Sequence, residues 1–424
     1  MSGRPTRVHQ SSVMLGMLLV LLIGSGSLAA PARADSLRAK QWYLDAWKID
    51  DVWKTTRGNG ITVAVIDSGV DATHPDLVGQ VLPSLSTPGD DKGHGTGMAS
   101  LIAGHGKAGG GQGVYGVAPE ARILPFRALD GLVGGQDPNS VAEGIRLAAD
   151  SDARILSISL AGRNNVPAED AAVAYALSKG KLVVAGAGNT PESRDGVPVY
   201  PAANPGVLAV SAVNREGKPA DNSVRGSWIS LSAPGQDIPS ACVTQTRYCL
   251  DTGSSDATAL TSGVAALVWS VHPDWTANQV IRRLLDTASR PNEPVPSDTF
   301  GYGVVSPRKA LAATDTPGPA DVNPLVGVRG DKPSTAPTTA APTTRATPAA
   351  ATPPTTAAKS DEGGGNGLLV PILIGTITAA ALLAGAALIT IRRRRARELA
   401  HRQAATALPW PPIHHQGGNP YDRR

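Results

Sequence analysis

The sequence predicts an α/β fold of three layers, with a mostly parallel central sheet flanked by helices, and a C-terminal transmembrane helix outside it. Three observations carry this. Between Gln41 and Ala313, short β-branched runs alternate with alanine-rich stretches of helical length. Alternating strand and helix implies parallel strands joined by helical crossovers, with helices covering both faces. Far downstream, Leu368 to Ile391 runs without a charged residue, about the roughly 20 residues that one bilayer span requires.

In chain order, the first segment is basic at Arg4 and Arg7, then apolar from Val13 to Ile23, then reads Ala32-Arg33-Ala34. Positive start, apolar middle and small-x-small end are the marks of a signal peptide, expected here as residues 1–34. Residues 35–313 then form the expected folded domain. Within it, Ile61 to Ile66, Ile123 to Arg127, Ile155 to Leu160, Leu182 to Ala187 and Val207 to Val213 read as buried strands. Val141 to Ala149, Ala168 to Lys179, Thr261 to Val271 and Ala277 to Ala288 read as helices. In such a sheet, ligands bind beyond the carboxyl ends of the strands.

The composition of 47 Gly and 35 Pro is high for a wholly compact chain, so part of it should be linker. Thr314 to Lys359 is dominated by Pro, Thr and Ala, which bury too little apolar surface to fold, and residues 314–367 are expected to be a stalk. The span 368–391 is followed at once by Arg392, Arg393, Arg394, Arg395 and Arg397. Positive charge beside a span stays cytoplasmic. The expectation is a single-pass protein of the cell membrane, with its folded domain outside and a basic tail, 392–424, inside. The net charge of +4 is smaller than that arginine cluster, so no nucleic-acid partner is implied.

Cys242 and Cys249 are the two cysteines of the chain. In an exported domain they favour a disulfide closing a short loop; free buried thiols are the alternative, and a metal pair lacks a nearby histidine. No metal and no cofactor are expected.

Acyl transfer from an amide needs a nucleophile, a base, an anion to orient the base and donors for the oxyanion. Asp67 ends the first strand and precedes Ser68-Gly69, at the ligand-binding edge, although a turn or capping aspartate would look the same. His94 stands in Gly93-His94-Gly95-Thr96-Gly97-Met98-Ala99-Ser100, where small neighbours leave the ring accessible; its rival His74, before Pro75, reads as a turn residue. Ser255 lies in Gly253-Ser254-Ser255-Asp256-Ala257-Thr258, just before the helix expected from Thr261, where N–H groups would serve an oxyanion and where an N-cap serine is also common. Asn189 follows Val183-Val184-Ala185-Gly186-Ala187-Gly188 at the same edge, as an amide donor or a simple turn residue.

Together these segments resemble the subtilases, the subtilisin-like serine peptidases, from Trp42 to about Ala313. The order Asp, His, Ser is that of subtilisin. Ile66-Asp67-Ser68-Gly69-Val70 and Gly93-His94-Gly95-Thr96 are similar to the two upstream signatures, and Tyr200-Pro201-Ala202-Ala203 and Val207-Leu208-Ala209-Val210 to family sequence downstream of the oxyanion asparagine. The resemblance implies a subtilisin-like fold in which Ser255 is the nucleophile, His94 the base, Asp67 its anchor, and Asn189 with the Ser255 N–H the oxyanion hole. It further implies that Ser159-Leu160-Ala161-Gly162 pairs with an extended polypeptide substrate and walls the first specificity pocket.

At the serine signature the sequence departs: Ser254 replaces Thr, Asp256 an apolar residue and Ala259 Pro. Asp256 puts a carboxylate beside the nucleophile, where it could raise the base's pKa or disfavour the oxyanion. Six residues, Asp35 to Lys40, separate the expected cleavage site from family-like sequence, so no folded pro-domain is expected. Signal peptide, missing pro-domain, proline-rich stalk and single C-terminal span together resemble the mycosins, the subtilases of type VII secretion. The expected function is an endopeptidase of exported or cell-surface proteins, associated with type VII secretion machinery. A membrane-complex scaffold with dispensable peptidase activity and an esterase on the same residues are its rivals.

Overall fold

The computed structural model describes residues 37–128, 138–190, 193 and 195–327. The expected signal peptide (1–34), span (368–391) and basic tail (392–424), and most of the expected stalk, lie outside these residues. Among the described residues, no helix is long and apolar enough to cross a membrane.

Short helical turns at 37–40, 42–46 and 49–52 lead into β1 (Thr62–Asp67) and α1 (His94–Ala103). There follow β2 (Arg122–Arg127), α2 (Pro138–Asp150), β3 (Ile155–Ile158), α3 (Pro167–Ser178), β4 (Leu182–Gly186) and β5 (Leu208–Val213). Then come β6 (Leu231–Pro234), β7 (Ile238–Ala241), β8 (Tyr248–Asp251), α4 (Ser254–Val271), α5 (Ala277–Asp286) and α6 (Pro307–Ala312). The main sheet runs β2-β1-β3-β4-β5-β6, and all of its strands are parallel. β7 and β8 make a separate antiparallel hairpin.

Side chains of successive strand residues point to opposite faces, so each strand serves two cores. Val63 and Val65 of β1, Leu182 and Val184 of β4, and Leu208 and Val210 of β5 belong to one apolar cluster, shared with α1, α4 and α5. Ala64 and Ile66, Val183 and Ala185, and Ala209 belong to the other, under α2 and α3. Both faces are covered, which is why the strand sequences carry no polar alternation.

Helix ends follow local chemistry. Thr276 accepts the N–H of Gln279 while the Gln279 side chain returns to the Thr276 N–H, a capping box that starts α5. Pro167 opens α3, where a missing N–H costs nothing. Past α6 the chain stays against the domain as far as Gly327. Buried Arg283 donates to the carbonyls of Ala310, Ala313 and Asp315, the Ala320 carbonyl accepts from Thr276 and Asn278, and Leu325 is buried.

The strand order places the site. After β1 the chain moves to one side, to β2, and after β3 it moves to the other, to β4. The crevice between β1 and β3 is therefore the switch point at which open α/β sheets bind ligands. Asp67 ends β1 there, and Ser159 follows β3 directly.

Candidate active site

Asp67 is fully buried, and its Oδ1 accepts the Ser68 N–H at 2.7 Å while lying 2.7 Å from His94 Nδ1. A carboxylate only accepts, so in the neutral ring it holds the proton on Nδ1 and leaves Nε2 as the free acceptor. The His94 side chain is 40% exposed. Burial alone would depress the imidazole pKa, but the charge and hydrogen bond of Asp67, with Asp256 and Asp251 behind them, outweigh it and push the ring up to about 9.

The glycines around His94 are steric requirements. A Cβ on Gly95 would stand 2.1 Å from Gly69 O and 3.0 Å from the Asp67 Cβ, so only glycine lets α1 approach β1 closely enough for the ring to reach its carboxylate. Gly93, just before the helix, has φ +88°, a left-handed conformation that side chains resist.

The other half of the site is built on α4. The helix begins at Ser254, seven residues before the expected start at Thr261, so Ser255 is its second residue rather than a residue preceding it. The early start has a tertiary cause. Asn189 Oδ1 accepts the Ser254 N–H at 2.8 Å, and Ser254 Oγ accepts the Gly188 N–H at 3.2 Å, so the β4 turn caps a segment whose own propensity for helix is low. With its oxygen so engaged, Asn189 retains its amide N–H groups as donors.

Ser255 Oγ donates to the Ser159 carbonyl at 3.2 Å, and Ser159 Oγ returns a bond to the Ser255 carbonyl at 3.1 Å. Among the described residues no hydrogen bond joins Ser255 to His94, although α1 and α4 pack on each other. Leu160 is buried, and Gly162 exchanges both backbone hydrogen bonds with Tyr200 at 2.8 Å. The segment Ser159 to Gly162 thus lies directly under Ser255 at one end and is anchored to Tyr200 at the other.

The family model described as the subtilase family matches residues 58–303, more than half of the chain. The chain belongs to the subtilase family. A thermostable alkaline protease of Halalkalibacterium halodurans is 39% identical over 257 residues, covering 60% of this chain and 68% of that protein. Among solved structures, MycP1 with its N-terminal propeptide removed superposes with a TM-score of 0.59 at 30% identity, over 66% of this chain and 99% of that one. A second MycP1 structure, of a serine protease described as an essential component of the type VII (ESX-1) secretion system, gives a TM-score of 0.56 at 32% identity, covering 64% of this chain and 88% of its own. By family, this chain is a subtilisin-like serine endopeptidase close in structure to the mycosins.

Several residues of this subtilase carry no strong mark in its sequence. Ser68 accepts the Gly95 N–H at 2.9 Å and ties the start of α1 to β1. Asp90 takes the Gly93 and Thr96 amides and the Thr96 hydroxyl, capping the helix that carries His94. An acid a few residues ahead of a helix was the available signal for Asp90. His74 is buried and stands apart from the site: its Nε2 pairs with the Arg247 carbonyl at 2.9 Å and its Nδ1 accepts the Asp76 N–H, as suits the turn residue expected. Cys242 and Cys249 form a disulfide that closes the β7–β8 turn. Inside that loop Val243 packs so closely on Gly93 that a Cβ there would lie 3.0 Å from it.

Proposed function

We propose that this subtilase hydrolyses peptide bonds of exported or cell-surface proteins, with Asp67, His94 and Ser255 as its catalytic triad. The observation that carries this reading is the 2.7 Å Asp67–His94 hydrogen bond at the β1/β3 switch point, with Ser255 in the first turn of α4, the helix that packs on α1. Substrate lies as an added strand along Ser159, Leu160, Ala161 and Gly162. The Ser255 hydroxyl leaves the Ser159 carbonyl, turns to His94 Nε2, gives up its proton there and attacks the scissile carbonyl. Asp67 stabilises the imidazolium that forms, and the ring then protonates the leaving amine. The oxyanion is met by the Asn189 side-chain amide and the Ser255 N–H, with the positive end of α4 behind them. Water repeats the sequence to release the acyl group.

The uncharged run 368–391 and the arginines after it support anchoring by a single span, with this domain on the outer face. Similarity to MycP1, itself described as an essential component of a type VII secretion system, supports a place beside such a machine.

A scaffold with slow or dispensable peptidase activity is the second reading, favoured by one observation: the Ser255 hydroxyl is bonded to Ser159 and not to the base. A fluorophosphonate probe applied to the wild-type chain and to Ser255→Ala separates the two. Labelling only of the wild type is expected. Equal labelling of both proteins, or of neither, sinks the peptidase.

A further inference from the structure

The β7–β8 hairpin stands outside the main sheet, and two strands alone are marginal in water. The Cys242–Cys249 disulfide closes its turn and limits how far the loop 242–249 can open. Within that loop Arg247 holds φ 61°, a left-handed conformation that side chains other than glycine adopt at a cost. Such a conformation persists where the surroundings impose it, and the contacts of the loop show what imposes it here.

The hairpin grips the start of α1 on both sides of His94. Before the ring, Val243 lies against Gly93, where a Cβ would stand 3.0 Å from Val243 Cγ2 and 3.2 Å from Val243 N. One turn on, a Cβ on Gly97 would meet the Ala241 carbonyl oxygen and Ser240 Oγ at 3.2 Å, and Ser100 Oγ accepts the Ala241 N–H at 2.9 Å. Two glycines and a serine thus give α1 a face small enough for the hairpin to lie along it. After the ring, the grip runs through Asp71. Its N–H donates to Thr96 Oγ1 at 2.9 Å, and its Oδ2 pairs with the Arg247 guanidinium at 3.2 Å. The Arg247 carbonyl accepts from the Cys242 N–H and from the buried His74 ring, each at 2.9 Å, and the Tyr248 hydroxyl donates to Asp76 at 2.8 Å. These bonds dock the far side of the loop on Asp71, His74 and Asp76, which follow β1, and hold Arg247 in its left-handed conformation.

We propose that the disulfide-closed loop positions the base: Val243 and Arg247 are positioning residues that hold the first turn of α1, and with it His94, against Asp67. This rests on His94 being the base. The 2.7 Å Asp67–His94 bond has to survive while the ring takes and returns a proton, and the ring is part-exposed, so the helix that carries it must supply the rigidity. Catalytic groups misplaced by about 1 Å lose on the order of 10² in rate, so a small loosening of that first turn is costly. The loop acts on the base and not on the substrate. Among the described residues, no hydrogen bond joins 242–249 to the segment Ser159 to Gly162, whose bonds go to Ser255 and Tyr200.

The test is kcat and KM on a peptide substrate, with thermal unfolding alongside, for the full-length wild type and its variants. Opening the loop with Cys242→Ser and Cys249→Ser together should lower kcat about tenfold or more and leave KM within about twofold. Val243→Ala keeps the disulfide and should lower kcat about threefold by the same route. Arg247→Gly suits the left-handed backbone and removes only the guanidinium, so kcat should fall about twofold while the unfolding temperature holds. Arg247→Lys keeps the charge and should recover kcat. A merely structural loop would lower the unfolding temperature and leave kcat per folded molecule unchanged. That result overturns the proposal, and so does a rise in KM with kcat kept, which would make the loop a wall of the substrate cleft. If the double serine variant fails to fold, Val243→Ala and Arg247→Gly decide. Equal hydrolysis by wild type and Ser255→Ala, or none by either, instead removes the triad reading itself, a failure distinct from these.

Discussion

The β1–α1 half of the site and the α4 half are assembled to different standards. On the first, Asp67 and His94 are joined at 2.7 Å, Ser68 and Asp90 lock the start of the helix, and Gly95 leaves no room for any other residue. On the second, the Ser255 hydroxyl is bonded to the Ser159 carbonyl and not to His94, and the Asp256 side chain is buried directly after it. The same division runs through the sequence, where Gly93-His94-Gly95-Thr96 is family-like and Ser254-Ser255-Asp256 departs from the pattern. The orienting half is thus preorganised, whereas activation of the serine is where this chain has room to differ from its relatives.

That contrast can be broken or sharpened by experiment. If the first half is purely an orienting device, Asp67→Asn should leave the fold intact and lower kcat by on the order of 10⁴, as the wrong tautomer does in triad enzymes. A loss under tenfold would show that the 2.7 Å bond is structural only. On the second half, Asn189→Ala removes an oxyanion donor, with an expected loss of roughly 10²–10³ in kcat, the size known for subtilisin itself. Because Asn189 also caps Ser254, its thermal unfolding should be followed in parallel; a fall in stability with kcat unchanged would assign the residue to the cap alone.

The smallest effect is on pH dependence, and its sign is fixed. The His94 ring is raised from an ordinary 6.5 to about 9, so activity that needs the neutral ring should fall as pH drops below about 9. Stability should run the other way. A raised folded-state value favours the folded protein fully below 6.5, and the contribution fades as pH rises through about 9. Measuring unfolding across that window checks it, and His94→Gln should flatten the curve.

Much of this was legible along the chain because it rests on local pattern. The expected strands ending at Ile66, Arg127, Ala187 and Val213 lie within a residue or so of β1, β2, β4 and β5, since runs buried on both faces need be only apolar and β-branched. β6 (Leu-Ser-Ala-Pro) and the β7–β8 hairpin carry a weaker signal: all three strands are four residues long, β6 and β7 each contain a proline, and β6 finds its partner β5 well upstream. The start of α4 was misplaced for a similar reason, because its cap is Asn189, 65 residues upstream.

By itself, then, the sequence determined the alternation of strand and helix, the candidate residues Asp67, His94, Ser255 and Asn189, and the glycines that crowd His94. These depend on neighbours within a few positions, and spacing records them. Only the tertiary structure decided that Asp67 holds the ring, that Ser255 rests on Ser159, and that Asp256 is buried with one oxygen unpaired. Burial and hydrogen bonding across the crevice belong to pairs far apart along the chain, and charge in a protein acts through distance in space.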